Sequence, residues 1–413
     1  MQEENGTRPG AWTVLSLASL GFMLSMFYRV SAAVISPELS RELALDSDDL
    51  GQLSAAFFYA FALCQVPVGL AMDRWGARVV MSLFSLAGVA GAVCFALAGG
   101  VVQAWWGRAL LGVGMSTALM GSLALVAGWF APWQFATLTG LIVAAGQAGQ
   151  LMAATPLAWL TETLGWRGAF WVVAAFHLVQ LAGFFLVVRD RPPGRPALPR
   201  GESNPLSDLR HLLSKPVYWM ISLGTFMRYG AFMSILALWA GPFLMGGLGL
   251  GPVEVGNMLV LSGVGYMVAL PWSGRLSDRV LRSRKLVIWP SFFMMGGLTA
   301  ALAWLEQGVS LWLLGLWFFL FGVSAAPGQI MYAHIRELMP ARLSATAMTG
   351  INIFTMLGPA AMMQLTGALV AGDPAGQTGP EAFRPVWWVL TAGVLLAGVV
   401  YSLTPDSRLA ADD

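Results

Sequence analysis

Two arginines, Arg29 and Arg228, lie inside long apolar stretches, and none of the 21 acidic residues lies inside such a stretch. A charge in hydrocarbon costs about 2.5–3.5 kcal/mol on insertion scales, so a charge at this depth usually has a task. The guanidinium keeps its charge, and its planar fork meets a carboxylate or a phosphate through two parallel hydrogen bonds. We therefore predict that Arg29 and Arg228 contact an anionic substrate. The alternative for Arg29 is that its side chain reaches the membrane surface.

Neutral polar side chains in the same stretches could complete a substrate site. Gln147 and Asn352 are amides that could bond substrate, although hydrogen bonds between helices are the favoured interpretation. Gln329 follows Pro327-Gly328, a pair that loosens a helix and frees carbonyl groups. The predicted substrate-binding residues are Arg29, Arg228, Tyr28, Tyr229, Gln147, Gln329 and Asn352, with Tyr266 and Tyr332 as further hydroxyl donors.

The composition is that of a membrane protein. Of the 413 residues 57% are hydrophobic and 11% are charged, and the mean hydropathy is +0.69. A soluble protein carries about 25% charged residues, and a spanning helix needs about 20 mostly apolar residues. Alternating strand patterns are absent, so we predict an all-α membrane protein with twelve transmembrane helices. These spans 1 to 12 are residues 12–35, 50–71, 79–98, 102–127, 136–160, 168–188, 217–245, 253–273, 286–305, 309–335, 345–370 and 385–404.

The distribution of Lys and Arg predicts the orientation. With the N-terminus inside, the cytoplasmic segments hold 17 of the 23 basic residues and the outer loops hold three. Positive residues favour the cytoplasmic side, so both termini are predicted to be cytoplasmic in a bacterial-type inner membrane. Cys64 and Cys94 lie within spans and are interpreted as packing residues rather than a disulfide.

The chain repeats itself at one offset. Residues 189–215 form a Pro-rich polar linker between six predicted spans in 1–188 and six in 216–413. The two segments match at an offset of 205 residues, as in the pairs Pro37 and Pro242, Gly51 and Gly256, Gly69 and Gly274, Asp73 and Asp278, and Arg74 and Arg279. Two pseudo-symmetric six-helix halves are a transporter architecture, with the substrate site near the membrane midplane.

The segment Gly69-Leu-Ala-Met-Asp73-Arg74-Trp-Gly76-Ala-Arg78 lies between spans 2 and 3. It resembles the signature loop of the major facilitator superfamily, and Gly274, Asp278 and Arg279 form its counterpart. This resemblance covers the whole chain and implies a transporter whose cytoplasmic gate includes Asp73, Arg74, Arg78, Asp278 and Arg279.

The residue types in these two loops are chemically suited to a gate. Glycines at 69 and 76 permit a tight turn and close backbone approach, an acid can face a helix N-terminus, and arginines can bond carbonyls at helix C-termini. Gly69, Gly76 and Gly274 are predicted to be structural. The alternative is a basic loop that only sets the topology.

Three further segments resemble elements of the same superfamily. Arg108 and Gly112 resemble its R-x-x-x-G-x-G element, and we predict a structural function for both. Tyr28-Arg29 followed by Pro37 is similar to span 1 of organophosphate and organic-anion members, where the arginine meets the substrate anion. Arg228-Tyr229-Gly230 resembles span 7 of organophosphate exchangers.

The two arginines are not symmetry mates. Arg228 precedes Pro242 by 14 residues whereas Arg29 precedes Pro37 by eight, and Ser234 occupies the symmetric position. Six residues of helix span about 9 Å, so a longer anion or two successive contacts fit better than one compact phosphate.

We predict a secondary transporter of a small organic anion, a carboxylate or a phosphate ester, that acts by alternating access as an anion exchanger or a proton symporter. His177 could carry a proton, although a packed, hydrogen-bonded histidine is the commoner case. We expect a monomer in the lipid bilayer, without cofactor, metal or nucleic acid. The alternatives are a drug/proton exporter, a copper importer that uses some of the 22 methionines, and a non-transporting membrane sensor. An enzyme is not expected, because no nucleophile–base set or metal cluster is visible.

Overall fold

The computed structural model describes residues 10–131, 134–192, 210–340, 343–371 and 379–407, which form helices joined by short loops. A backbone in hydrocarbon must bond its own polar groups, and a helix does so within one segment. The α-helices are α1 Ala11–Leu43, α2 Ser47–Trp75, α3 Ala77–Ala96, α4 Val101–Met115, α5 Ala118–Trp129, α6 Phe135–Met152, α7 Thr155–Val187, α8 Pro216–Ser234, α9 Pro252–Arg275, α10 Lys285–Ala301, α11 Leu311–Ala325, α12 Ile330–Leu338, α13 Ser344–Ala371 and α14 Arg384–Ser402.

Short segments of altered helix extend or join several of these α-helices. Four-residue and three-residue 3-10 turns occupy Ala326–Gln329, Pro380–Phe383 and Leu302–Trp304. Wider π-helical turns follow α8 and α9 at Ile235–Trp239, Pro242–Gly247 and Leu276–Val280. Such segments mark places where the regular backbone ladder is interrupted.

Eleven helical segments within the described ranges are long and apolar enough to cross a membrane. The remaining predicted span, 136–160, is wrong as one continuous helix, because α6 ends at Met152 and α7 begins at Thr155. Pro156 has no backbone N–H and disfavours helical geometry before it, so the chain breaks there. The α7 segment itself contains a non-helical residue, Gly165, at φ 71° and ψ 164°.

The chain forms two compact units. The first comprises residues 1–31 and 59–201, and the second comprises residues 32–58 and 202–413. The end of α1 and the start of α2 therefore belong with the helices that follow the predicted linker. Within this second unit a Cβ at Gly51 would lie 2.6 Å from the carbonyl oxygen of Met363 and 3.0 Å from Cα of Gly367, so α2 and α13 touch backbone to backbone.

The first unit packs around a core of apolar side chains from α1, α3, α5, α6 and α7, including Phe22, Met81 and Phe184. Helices α3 and α4 approach closely, because a Cβ at Gly91 would lie 2.9 Å from the carbonyl oxygen of Gly107. The second unit contains an aromatic core in which Trp387 packs on Phe243 and Phe383. Its Trp239 indole donates to Thr366 Oγ1 at 2.8 Å, so the buried N–H has a partner.

In each unit an arginine side chain donates a hydrogen bond to a backbone carbonyl at the C-terminal end of a helix. Arg167 Nη2 donates to the carbonyl oxygen of Ala98 at 2.7 Å, just beyond α3. Arg384 Nε donates to the carbonyl oxygen of Ala303 at 3.1 Å, just beyond the end of α10. Ala98 and Ala303 are separated by the 205-residue offset of the sequence repeat. The last carbonyls of a helix lack intrahelical donors, and in each unit an arginine supplies one.

Candidate functional site

Arg228 lies in α8, 3% exposed, and two neighbouring helices of the second unit hold its guanidinium. Its Nη1 donates to Ser291 Oγ of α10 at 2.8 Å, and its Nη2 donates to the carbonyl oxygen of Ser324 in α11. The guanidinium carbon lies 5.1 Å from the ring centroid of Phe292. The Nε–H is buried and has no hydrogen-bond partner among the described residues. The described residues therefore leave this N–H of the buried cation unsatisfied.

The carbonyl of Ser324, which accepts from Arg228, lies one residue before the end of α11. Residues Ala326–Gln329 form a 3-10 turn, in which each carbonyl bonds the N–H three residues later. The residue three positions after Ser324 is Pro327, which has no N–H. Arg228 thus joins α8 to the break between α11 and α12.

Hydroxyl and amide groups lie in the same unit as this arginine. Tyr266 of α9 interacts with Gln329, Tyr229 and Arg228, and its ring stacks on Phe232 with centroids 6.1 Å apart. The hydroxyl of Tyr332 in α12 lies 2.9 Å from Asn352 Oδ1 and 3.1 Å from Thr355 Oγ1. The predicted residues Arg228, Tyr229, Gln329 and Asn352 thus share one unit with two further tyrosines.

Glycine at position 328 leaves room beside the arginine. A Cβ built at Gly328 would lie 3.0 Å from Arg228 Nε and 3.4 Å from its Cδ. Those distances are tighter than ordinary contact, so any larger residue would press on the guanidinium. Gly328 therefore keeps open the edge of Arg228 that carries the unpaired N–H.

Arg29 and Tyr28 occupy α1 in the first unit. Arg29 is 5% exposed, and its guanidinium carbon lies 4.8 Å from the centroid of the Phe61 ring. The Tyr28 hydroxyl lies 3.4 Å from His177 Nδ1, and the other imidazole nitrogen is 2.9 Å from Ser85 Oγ. Gln147 of α6 is buried, and its side-chain oxygen has no hydrogen-bond partner within the described ranges.

Arg108 joins two helices of the first unit. Its Nη1 donates to the carbonyl oxygen of Tyr28 at 2.7 Å, which ties α4 to α1 directly beside Arg29. The side chain is completely buried, so it reaches a backbone carbonyl rather than a lipid headgroup. Gly112 follows one turn later, also buried in α4.

In the first unit, the backbone conformation of the signature loop requires a glycine at position 76. Gly76 adopts φ 84° and ψ 162°, a conformation essentially restricted to glycine. Arg78 Nη2 donates to the carbonyl oxygen of Phe185 at 2.7 Å near the end of α7, the type of contact predicted for it. Arg74 is exposed, with its guanidinium 6.0 Å from the Trp75 ring. The side chain of Asp73 lies outside the described residues.

The predicted close backbone approach at Gly69 is wrong for the part of the chain that the structure describes. A Cβ at Gly69, or at its counterpart Gly274, would meet no other atom within 4 Å. Both glycines lie within helices, Gly69 in α2 and Gly274 in α9, and neither has a positive φ. The repeat therefore preserves glycine at positions where local packing does not demand it.

In the second unit, charged side chains of the corresponding loop form a cluster of ion pairs, called here the ion cluster. Arg284 donates from Nη1 to Asp278 and from Nη2 to Glu337 Oε1 at 2.8 Å. Glu337 and then Asp278 stabilise the charged guanidinium, which raises the pKa of Arg284 above its ordinary value. Arg279 is exposed beside this cluster. The cluster connects the loop before α10 to the end of α12.

Comparison with known proteins agrees with this architecture. The sequence profile of the Major Facilitator Superfamily matches residues 17–243 and 221–412. The chain belongs to the major facilitator superfamily. It is accordingly a multi-pass membrane protein, and its family is the one that the signature loop resembles.

Two of the relatives are named as transporters of D-galactonate and of hexuronate. The chain is 27% identical over 192 residues to the D-galactonate transporter of Escherichia coli O6:H1, covering 46% of this chain and 44% of that protein. It is 24% identical over 353 residues to the hexuronate transporter of Bacillus subtilis, covering 79% and 80%. For several relatives the chain thus spans less than two thirds of the relative's length.

Among solved structures, a bacterial homolog of the human lysosomal transporter Spinster in an inward-facing, occupied conformation matches with a TM-score of 0.77. The sequence identity is 18% and the match covers 97% of each chain. At this identity the likeness shows the fold alone.

The sequence analysis did not predict several residues that form hydrogen bonds with the charged side chains or the signature loops. Ser291 and Ser324, which anchor Arg228, are ordinary small residues in apolar helices and carry no sequence signal. Pro327 was the available clue, because a proline inside a span leaves a carbonyl in need of a donor. Asp190 and Asp406 were also missed, although each stands within four residues of the end of a long apolar helix.

Proposed function

We propose that this transporter carries a small organic anion, a carboxylate in preference to a phosphate ester, by alternating access. The observation that supports this most is the buried Arg228 of the second unit, whose Nε–H lacks a partner among the described residues. A donor on a permanent cation favours an anionic oxygen over a neutral or cationic ligand.

The polar groups of the second unit favour a ligand with several hydroxyls. Tyr229, Tyr266 and Tyr332 supply phenol groups, and Gln329 and Asn352 supply amides, all within the second unit. Hydroxyls and amides both donate and accept, so they suit the hydroxyl groups of a sugar acid. The relatives named for D-galactonate and hexuronate carry acids of this kind by their names.

In the first unit we assign Arg29 as a second anion contact, with Tyr28 beside it and Gln147 as an amide partner. Arg29 lies against the Phe61 ring, which holds a guanidinium without neutralising it. Asp73, Arg74 and Arg78 of the first unit, with Asp278 and Arg279 of the second, are the proposed gate residues.

The energy source that we favour is exchange of one anion for another. All 21 acidic residues fall at span ends or in loops, so no membrane carboxylate is offered to carry a proton. Proton symport is the second possibility. We propose a monomer in the inner membrane with both termini cytoplasmic.

Counterflow into proteoliposomes tests the substrate class. Vesicles loaded with unlabelled D-galactonate, D-glucuronate, a hexose phosphate or tetraphenylphosphonium would be diluted into the same labelled compound. Uptake of one or both sugar acids is expected, with no uptake of the cation. Uptake of tetraphenylphosphonium alone would overturn the anion assignment, and uptake of the hexose phosphate alone would overturn the preference for a carboxylate.

A further inference from the structure

In each unit, an acidic side chain that follows a long helix accepts a hydrogen bond from the backbone at the end of the signature loop. In the first unit Asp190, three residues after α7 ends, accepts a hydrogen bond at Oδ1 from the backbone N–H of Arg78 at 2.7 Å. In the second unit Asp406, four residues after α14 ends, accepts at Oδ1 from the backbone N–H of Lys285 at 3.2 Å. Arg78 and Lys285 lie in the first turns of α3 and α10, whose N–H groups lack intrahelical acceptors.

A second contact repeats beside the first. Trp129 Nε1 donates to the carbonyl oxygen of Arg189 at 2.6 Å. His334 Nε2 donates to the carbonyl oxygen of Pro405 at 3.1 Å, since a carbonyl can only accept. Trp129 and His334 stand 205 residues apart, the offset of the sequence repeat. In both units, therefore, a ring N–H binds the residue directly before the capping acid.

Each unit reinforces this pair of contacts in its own way. A Cβ at Gly76 would lie 3.0 Å from the carboxyl carbon of Asp190, so the carboxylate occupies the space that a side chain there would take. In the second unit Ser283 Oγ donates to Asp406 Oδ2 at 2.5 Å and Lys285 Nζ donates to the carbonyl oxygen of Thr404 at 2.9 Å.

The second unit extends the contacts to the ion cluster. Ser407, directly after Asp406, donates from Oγ to Glu337 Oε2 at 2.7 Å, and Glu337 is the partner of Arg284. The segment that follows α14 is thereby joined to the same loop through both its backbone and its side chains.

We infer that Asp190 and Asp406 are positioning residues of the transport cycle, each of which fixes the signature loop of its own unit by capping the helix that follows the loop. A carboxylate is also favoured at a helix N-terminus by the helix dipole. This inference goes beyond the proposed function, because it holds whichever solute the protein carries.

Hydrogen–deuterium exchange on the full-length protein in nanodiscs tests the inference without a substrate. Asp190→Ala removes the acceptor of the Arg78 N–H, so exchange at that amide is expected to rise about tenfold, the size of a lost helix cap. Asp406→Ala is expected to do the same at Lys285. Asp190→Asn and Asp406→Asn keep a side-chain oxygen and are expected to retain most of the protection.

The matched controls lie within the same chain. Each Ala variant is expected to leave the amide of the other unit unchanged, and Glu162→Ala, which removes an exposed acid of α7, is expected to change neither amide. Unchanged exchange at Arg78 and Lys285 in the Ala variants, or an equal rise in Glu162→Ala, would overturn the inference.

A transport readout separates positioning from general stability. For any acid that the wild-type protein carries, the two Ala variants are expected to lower the maximal rate and leave KM unchanged, with the Asn variants restoring much of the rate. A raised KM at an unchanged maximal rate would contradict the inference. If no tested acid is carried, the proposed function fails while the exchange measurement still decides this inference.

Discussion

Arg228 Nη2 donates to the carbonyl oxygen of Ser324, three residues before Pro327 at the break between α11 and α12. A buried cation on α8 thereby holds the broken helix formed by α11 and α12. The same guanidinium retains one N–H without a partner among the described residues. Structural anchoring and the proposed ligand contact thus fall on one side chain, so changes near Arg228 are expected to affect both.

Gly328→Ala tests the space beside Arg228. The added methyl group would lie 3.0 Å from Nε, so the guanidinium must move or the edge of the arginine must close. We expect a raised KM in counterflow with the carried acid, by roughly tenfold if one hydrogen bond to the charged group is lost. Gly297→Ala is the matched control, because a Cβ at that position in α10 meets no atom within 4 Å. Equal KM values for Gly328→Ala and Gly297→Ala would contradict the expectation.

Gly76→Ala and Gly69→Ala are expected to differ sharply, although both glycines belong to the signature segment. Gly76 has a backbone conformation that costs other residues about 1–3 kcal/mol, and the Asp190 carboxylate fills the space of its Cβ. Gly69 lies in a helix with open space around its Cα, where alanine is the better helix former. Thermal unfolding in detergent should show a lower melting temperature for Gly76→Ala and no decrease for Gly69→Ala. The reverse order would show that this loop geometry does not govern stability.

Arg284→Ala is expected to destabilise the second unit. The substitution leaves Glu337 without its charged donor in a partly buried position, a loss of roughly 1.5–3 kcal/mol for a hydrogen bond to a charged group. Arg279→Ala, which removes an exposed arginine of the same loop, is expected to stay within about 0.5 kcal/mol of the wild-type protein. The double variant Arg284→Ala/Glu337→Ala should lose less than the sum of the two single variants. Strict additivity in this cycle would mean that the pair contributes nothing.

The twelve apolar stretches and the 205-residue offset were sufficient to predict the fold, because hydrocarbon admits helices and a repeat fixes two halves. The break near Pro156 was the main error in the helices, and it follows from the missing N–H of proline. Hydropathy hides such a break, since alanine and proline do not interrupt an apolar stretch.

The candidate site was predictable only in its charged and amide residues. Arg228, Gln329 and Asn352 stand out as polar groups in apolar surroundings, and the structure gathers them in one unit. Ser291 and Phe292, which hold the guanidinium, carry no sequence signal because both are common in such helices. The function of Gly328 depends on which side chain faces it, and that is a property of the packed structure alone.

The central claim is that buried arginines bind an organic anion, and counterflow with arginine variants tests it most directly. Arg228→Ala and Arg29→Ala would be reconstituted beside Arg41→Ala, which removes an exposed arginine at the end of α1. We expect D-galactonate or D-glucuronate uptake in the wild-type protein and in Arg41→Ala, and uptake reduced at least about tenfold in the other two variants. Uptake of the same acid at the wild-type rate and KM in both Arg228→Ala and Arg29→Ala would contradict the claim.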